Sequence, residues 1–308
     1  MEYGFLSDEA EKFPPMVIVD MTNVCNLRCI HCAHRIVKKE PGYKPEFMKF
    51  EMFKKIVDEV KDHKITLMRL ASDGESLLHK DLLKCISYAK ENGITPVNLT
   101  TNAMLMNEEI SEKFVEIGLD IVDISIDATT SETYEKIRVG GDFSTVIANT
   151  EKLIEIKNRR HSSMKIFVSF VNQKENCEEA QAFEQFWEGK VDQVLIRNFC
   201  NVLGMVKDVD GVVVQENLPD RWPCPQFWKR VTITHAGDLR FCVEDWRNKT
   251  VLGNIMDSSI EKIWTGEKYQ KLRKIHLSNN YDSLPFCQEC TDWATSAWDY
   301  GYEKLIGK

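Results

Sequence analysis

Three cysteines in one short stretch, Cys25-Asn26-Leu27-Arg28-Cys29-Ile30-His31-Cys32, stand at spacings of four and three residues. Thiolates are soft ligands suited to iron–sulfur clusters and to zinc. Three of them can hold three irons of a cubane cluster and leave the fourth iron open to a substrate or cofactor. The stretch also reads as a zinc knuckle with His34 as a fourth ligand. Two features count against zinc: an apolar run at 16–21 that reads as a buried strand, and the lack of a paired Cys-x2-Cys nearby. The cysteines are then expected on the loop that leaves this strand.

Four more cysteines, Cys224, Cys242, Cys287 and Cys290, fall late in the chain at separations of 18, 45 and 3 residues. Taken alone, they also suit a structural zinc site. Of the remaining three, Cys85 shares an apolar helix face with Leu82 and Ala89 and is expected in the core. Cys177 and Cys200 each follow an expected strand, where a thiol can serve as a hydrogen donor.

The elements that must position these groups are read from pattern. The chain has 308 residues, of which 43% are hydrophobic, enough for one large domain and a small one with a sizeable core. With a formal net charge of −8 and no long basic run, nucleic acid is not an expected partner. The apolar runs fall short of a membrane span. Residues 1–13 carry acids and no apolar segment of the secretory kind, so a cytoplasmic protein is expected. In that setting ten cysteines point to metal or catalysis rather than disulfides.

Strands are expected at 16–21, 65–70, 97–101, 121–126, 165–171 and 191–197. Helices are expected between them: 47–61 with Phe53, Ile56, Val57 and Val60 on one face, 80–92 ended by Gly93, 108–117 closed by Gly118, 131–137, 143–157 and 178–188. This alternation argues for parallel strands with right-handed crossovers, too few to close an eight-stranded barrel. Beyond residue 200 the pattern changes. A linker at 202–220 with a strand at 212–215 leads to a hairpin, 230–234 and 239–243, turning at His235-Ala236-Gly237-Asp238. A helix comes next at 258–274 with Ile260, Ile263 and Trp264 inward. The expected division is a core over 1–200 and a linker with a small domain over 201–308.

The Cys-x3-Cys-x2-Cys motif, with His31 where an aromatic or His precedes the last cysteine, resembles that of the radical S-adenosylmethionine (SAM) superfamily. The resemblance implies an α/β fold, a (β/α)6 partial TIM barrel. It implies a [4Fe–4S] cluster on Cys25, Cys29 and Cys32 whose open iron chelates SAM. An electron from a flavodoxin- or ferredoxin-type reductant then frees a 5′-deoxyadenosyl radical, which abstracts hydrogen from carbon. Trp222-Pro223-Cys224-Pro225, Gly237-Asp238-Leu239-Arg240-Phe241-Cys242 and Leu252-Gly253-Asn254 resemble the SPASM/twitch extension of such enzymes. Four cysteines there imply the shorter twitch form, with one auxiliary [4Fe–4S] cluster fully ligated by Cys224, Cys242, Cys287 and Cys290. With no open iron, its implied task is electron transfer rather than substrate binding. The cysteine separations resemble those of 2-deoxy-scyllo-inosamine dehydrogenase-type enzymes, which oxidise an aminocyclitol alcohol.

The resemblance also implies SAM contacts. Asp73-Gly74-Glu75 stands where the family has Gly-Gly-Glu, with Asp73 in place of the first glycine. His31, Asn102, Ser125 and Asp127 join that set, and Arg138, before Val139-Gly140-Gly141, matches an arginine that pairs the SAM carboxylate. Arg197 is a candidate substrate contact. The leading expectation is dehydrogenation of a sugar- or aminocyclitol-like small molecule. Its rivals are epimerisation with Cys177 or Cys200 as hydrogen donor, peptide or protein modification, and a non-catalytic zinc protein. About fifteen residues precede the first strand, too few for a leader-binding module, which weakens the peptide reading. Anaerobic reconstitution should give about eight irons per chain, and about four with no SAM cleavage when Cys25, Cys29 and Cys32 are all Ala. Stoichiometric zinc without visible absorbance would refute both clusters.

Overall fold

The computed structural model describes residues 12–71, 73–210, 221–288, 290 and 292–295. Five strand–helix units and a sixth strand run in succession: β1 (Met16–Val19), α1 (Phe50–Val60), β2 (Leu67–Leu70), α2 (Leu82–Glu91), β3 (Val97–Thr101), α3 (Glu108–Glu116), β4 (Ile121–Ser125), α4 (Ser131–Ile137), α5 (Phe143–Arg159), β5 (Lys165–Asn172), α6 (Ala180–Trp187) and β6 (Gln193–Asn198). A single helical turn, His34–Val37, comes after the first cysteine set. Each of β1 to β5 pairs in parallel with the next, giving an open α/β sheet as expected.

Period-two alternation assigns the two faces. Val17, Val19, Met68, Leu70, Val122, Ile124, Ile166, Val168 and Phe170 belong to the main core shared with the helices. Met16, Ile18, Leu67, Ile121 and Phe167 form a smaller cluster on the other, inner face. In α1 the expected stripe Phe53, Ile56, Val57 and Val60 is wholly buried. Such side chains each stabilise the fold by roughly 1.5–3 kcal/mol on burial. Cys85 is buried in the same core. Asn107, Thr130 and Asp142 accept hydrogen bonds from the first turns of α3, α4 and α5, which fixes where these helices begin. Gly93 and Gly118 have φ of +79° and +69°, the left-handed geometry that ends α2 and α3.

The later part of the chain extends the same sheet. Its order is β6-β5-β4-β3-β2-β1-β7-β8-β9. β7 (Arg230–Ile233) lies parallel to β1 with Met16 opposite Arg230 and Val19 opposite Ile233. β8 (Asp238–Arg240) and β9 (Val251–Asn254) continue antiparallel. The short α7 (Gln226–Lys229) precedes this ribbon, and α8 (Ile260–Thr265) and α9 (Glu267–Leu277) come after it. The single helix expected over 258–274 is thus two. Gly266 parts them with an extended backbone (ψ 160°), and a side chain there would lie 2.8 Å from the Lys262 carbonyl oxygen. The expected strand 212–215 lies outside the described residues. Among the described residues, no helix is long and apolar enough to cross a membrane.

The cysteine loop leaving β1 is packed against the segment after β2. A Cβ added to Gly74 would lie 2.5 Å from the carbonyl oxygens of both Thr22 and Val24, backbone atoms with no room to retreat. Gly74→Ala must therefore push the loop outward. This variant should keep the irons of the second cysteine set and lose most at the first, about four of about eight per chain by iron analysis.

Candidate active site at the strand ends

The first cysteine loop has little regular structure of its own and is held from two sides. On one side the Glu75 amide donates to the Val24 carbonyl (2.8 Å). On the other, the Arg28 amide donates to Val139 and the Ile30 amide to Ile137, both at 2.9 Å. The sulfurs accept backbone N–H groups, Cys25 from Leu27 (3.5 Å) and Cys32 from His34 (3.4 Å). Burial pushes the Cys25 thiol up to about 12 and raises Cys29 and Cys32 as well. The nearby Arg138 guanidinium, 3.9 Å from Cys29 Sγ, opposes this rise. Thiols so placed stay protonated until a metal displaces their protons. The donor set and the sulfur-directed amides fit an iron–sulfur cluster. His34, the alternative zinc ligand, has its Nε2 on the Asn23 carbonyl at 3.1 Å.

Glu75 is the hub of the strand ends. Its Oε1 accepts from the Leu77 amide (3.1 Å) and the Thr101 hydroxyl (2.7 Å), and its Oε2 from the Asn102 amide (2.8 Å). Burial raises its pKa, and these donors hold it back. Asn102 Nδ2 donates to Asn26 Oδ1 at 2.9 Å, so the end of β3 also grips the cysteine loop. Asp127 sits in the left-handed region (φ +67°). Its Oδ1 accepts from the Val171 amide, and its Oδ2 lies 2.5 Å from Arg138 Nη2 and 3.7 Å from His31 Nε2. Burial lowers the His31 pKa to about 4, against the pull of Asp127, so the ring is neutral near pH 7. Glu75, Asn102, Asp127, Arg138 and His31 therefore gather at the first cysteine set. Ser125 ends β4, half-buried and opposite Ser169.

Asp73 turns elsewhere. Its carboxylate meets the guanidinium of Arg240 on β8, at 2.6 Å and 3.0 Å, and Arg240 also reaches Asp20 at 3.2 Å. The sequence sets Arg240 in the Gly237–Cys242 motif and Asp20 within the first expected strand, with no signal that Arg240 meets Asp73 and Asp20. Sequence reading also missed a charged belt across the inner face. Asp123 of β4 is fully buried and pairs with Arg197 of β6 (2.7 Å) and Arg69 of β2 (3.3 Å). Burial alone would raise the Asp123 pKa, but the two arginines hold it below the usual carboxylate range. The available clue was alternation, which puts Arg69 and Asp123 on the inner face amid apolar neighbours.

The second cysteine set gathers beside the ribbon. Cys224 precedes α7, and its amide donates to His276 Nδ1 at 3.2 Å. Cys242 lies just past β8, Cys287 lies in the turn Pro285–Gln288, and the Cys290 amide returns to the Cys287 carbonyl at 3.3 Å. Burial pushes Cys224 up to about 12 and Cys287 up to about 11. The thiols also disfavour one another's ionisation, Cys224 through Cys287, Cys242 through Cys290 and Cys224, and Cys290 through Cys224 and Cys287. Four sulfurs that sense each other this way suit one shared cluster.

The two spare thiols part company. Cys177 opens the turn Cys177–Glu179 with Sγ 3.6 Å from the Lys174 carbonyl. The Cys200 sulfur lies within 4.8 Å of carboxylate oxygens of Glu244 and Asp292, and Asp292 also bonds Cys290. Cys200 thus stands against the second set. Burial, with Asp292 adding, lifts Glu244 to about 7. Among the described residues, this trio is the group drawn together at single-ion spacing, rather than either cysteine set.

Similarity to known proteins divides the chain in the same way. The model of the radical SAM superfamily matches residues 19–181, and that of the SPASM iron–sulfur cluster-binding domain matches 224–291. A probable GTP 3′,8-cyclase of Methanococcus maripaludis is 34% identical over 138 residues, 45% of each chain. An Fe-coproporphyrin III synthase of Methanosarcina barkeri is 29% identical over 182 residues, 58% of this chain and 43% of that one. The chain thus spans about half the length of the curated relatives it matches. Among solved structures, BtrN in complex with AdoMet and 2-DOIA has a TM-score of 0.63 at 17% identity, covering 94% of this chain and 98% of that one. Streptococcus suis SuiB bound to S-adenosylmethionine has a TM-score of 0.71 at 16% identity, covering 92% and 72%. These likenesses concern the fold. With an open parallel sheet, a cysteine loop at its strand ends and a second cysteine set on its extension, the chain belongs to the radical SAM superfamily, carries a C-terminal SPASM domain, and uses SAM and [4Fe–4S] clusters, one of them auxiliary.

Proposed function

We propose that the chain is a radical SAM oxidoreductase that dehydrogenates an alcohol carbon of a sugar- or aminocyclitol-like small molecule. The observation that carries this reading is the second cysteine set. Cys224, Cys242, Cys287 and Cys290 offer four buried or half-buried thiols beside the ribbon, enough to ligate one cluster in full and leave no iron for substrate. We assign the SAM-binding cluster to Cys25, Cys29 and Cys32. Bound at these sites, the cofactors supply a carbon-centred radical at the first and an electron acceptor at the second.

The chain's own residues bind, orient and screen. Arg138 offers a buried guanidinium beside Cys29 to the carboxylate of SAM, in exchange for its pairing with Asp127. Glu75 fixes the backbone of two strand ends around the loop. Neutral His31 covers the loop without adding charge. Arg197, anchored on Asp123, is half-exposed on the inner face, where a polar substrate can meet it.

A second reading, GTP cyclisation, is favoured by the identity of 34–35% to GTP 3′,8-cyclases, over 45% of this chain. Peptide modification draws support only at the level of fold, from SuiB bound to the precursor peptide SuiA.

Two outcomes test the leading reading. Arg138→Ala should weaken SAM binding about tenfold or more with both clusters still assembled, because a buried carboxylate loses its charge partner. In deuterated water, a panel of polyols and aminocyclitols should yield a ketone with no carbon-bound deuterium at the attacked centre. A product of unchanged formula with solvent deuterium at an inverted centre, abolished by Cys177→Ala or Cys200→Ala, would establish epimerisation instead. Consumption of GTP in preference to any polyol would favour cyclisation.

A further inference from the structure

Arg240 is wholly buried and lies on β8, two residues before Cys242. Its two terminal nitrogens form a fork onto both oxygens of Asp73, at 2.6 and 3.0 Å. The same nitrogens reach Asp20 at 3.2 Å, the Asp245 carbonyl at 2.7 Å and Asn248 Oδ1 at 3.1 Å. Asp20 lies just past β1 and Asp73 just past β2, so one side chain of the ribbon ties together the exits of two core strands.

The two residues after Asp73 carry this tie to the cysteine loop. Gly74 rests on the carbonyls of Thr22 and Val24, and the Glu75 amide donates to Val24. Glu75 in turn fixes Thr101 and Asn102, and Asn102 reaches Asn26 within the cysteine loop. A continuous path of short polar contacts thus leads from the neighbourhood of Cys242 to that of Cys25. A bidentate guanidinium–carboxylate pair in a dry setting has one good geometry, so it holds the Asp73 backbone in place. At this position the superfamily pattern has glycine, which offers no such handle.

We propose that Arg240 is a positioning residue for SAM. By gripping Asp73 it sets the Gly74–Glu75 backbone against the cysteine loop, so the affinity of the first site for SAM depends on a side chain of the auxiliary ribbon. The inference rests on the reading that this loop binds SAM.

The test measures SAM affinity of the anaerobically reconstituted full chain by equilibrium dialysis, together with iron content and the electron paramagnetic resonance signal of the reduced first cluster with and without SAM. Arg240→Met should retain about eight irons, weaken SAM about tenfold, and blunt the SAM-induced change in the signal. Arg240→Lys, which keeps the charge and loses the fork, should fall between. Asp73→Gly should matter much less in the Arg240→Met background than alone, because the two residues act as one unit. Arg273→Met is the control. Arg273 is buried in the same region and bonds the Phe227 and Trp264 carbonyls, so its loss should leave SAM affinity unchanged.

Unchanged SAM affinity and an unchanged signal in Arg240→Met, with irons intact, would overturn the proposal and leave the SAM assignment standing. Equal weakening in Arg273→Met would also overturn it, since the effect would then be general loosening. If Arg240→Met loses its irons, Asp73→Asn decides. It removes one charge at nearly constant volume, and unchanged SAM affinity there counts as refutation. A wild-type protein that binds no SAM would bring down the assignment itself.

Discussion

A loop that must present three sulfurs to one cluster cannot spend its backbone groups on a helix or strand, so something else must hold it. Here the Glu75 amide grips it at Val24, and the carbonyls of Ile137 and Val139 grip it at Ile30 and Arg28. Both grips come from segments at the ends of parallel strands or of the helices that come after them. Strand ends are fixed by the whole sheet, so the loop inherits the sheet's rigidity. Arg138 lies between the two gripping carbonyls in sequence, which is why its guanidinium arrives beside Cys29.

The inner side of the sheet is unusually charged for a buried surface. Asp123 with Arg69, Asp127 with Arg138, and Arg240 with Asp73 and Asp20 are largely withdrawn from water, and Arg197 reaches Asp123 from a half-exposed position. Such pairs add little net stability over apolar packing, but losing one partner typically costs about 3–5 kcal/mol. Their value lies in fixing geometry. Each pair joins side chains from different strands or from the segments that come after them, and several converge on the side where the cysteine loop leaves the sheet.

Much of this was legible in the chain. Alternating apolar residues located β3, β4 and β5 almost to the residue, and Gly93 and Gly118 marked helix ends because the backbone there needs a left-handed turn. The cysteine spacings pointed to two clusters, and the polar residues at strand ends to a site. The long-range pairings escaped. Arg240 and Asp73 are 167 residues apart, and no local pattern tells a surface arginine in a hairpin from a buried one. β9 was missed because Leu252-Gly253-Asn254 lacks the alternation of a strand. The helix break at Gly266 comes from a close backbone approach rather than from composition. The place of Cys200 after β6 suggests a donor near the barrel mouth, but its partners Glu244 and Asp292 come from the far end of the chain.

The pairing of β7 with β1 also bears on solubility. A six-stranded open sheet has two bare margins, and β1, four apolar residues buried on every side, would be one of them. An unpaired strand of that composition is a ready template for another chain. The ribbon seals that margin and, among the described residues, moves the border of the sheet out to β9, a less apolar strand containing Gly253 and Asn254. The part of the chain that carries the auxiliary cysteines therefore also covers the most apolar margin of the core sheet.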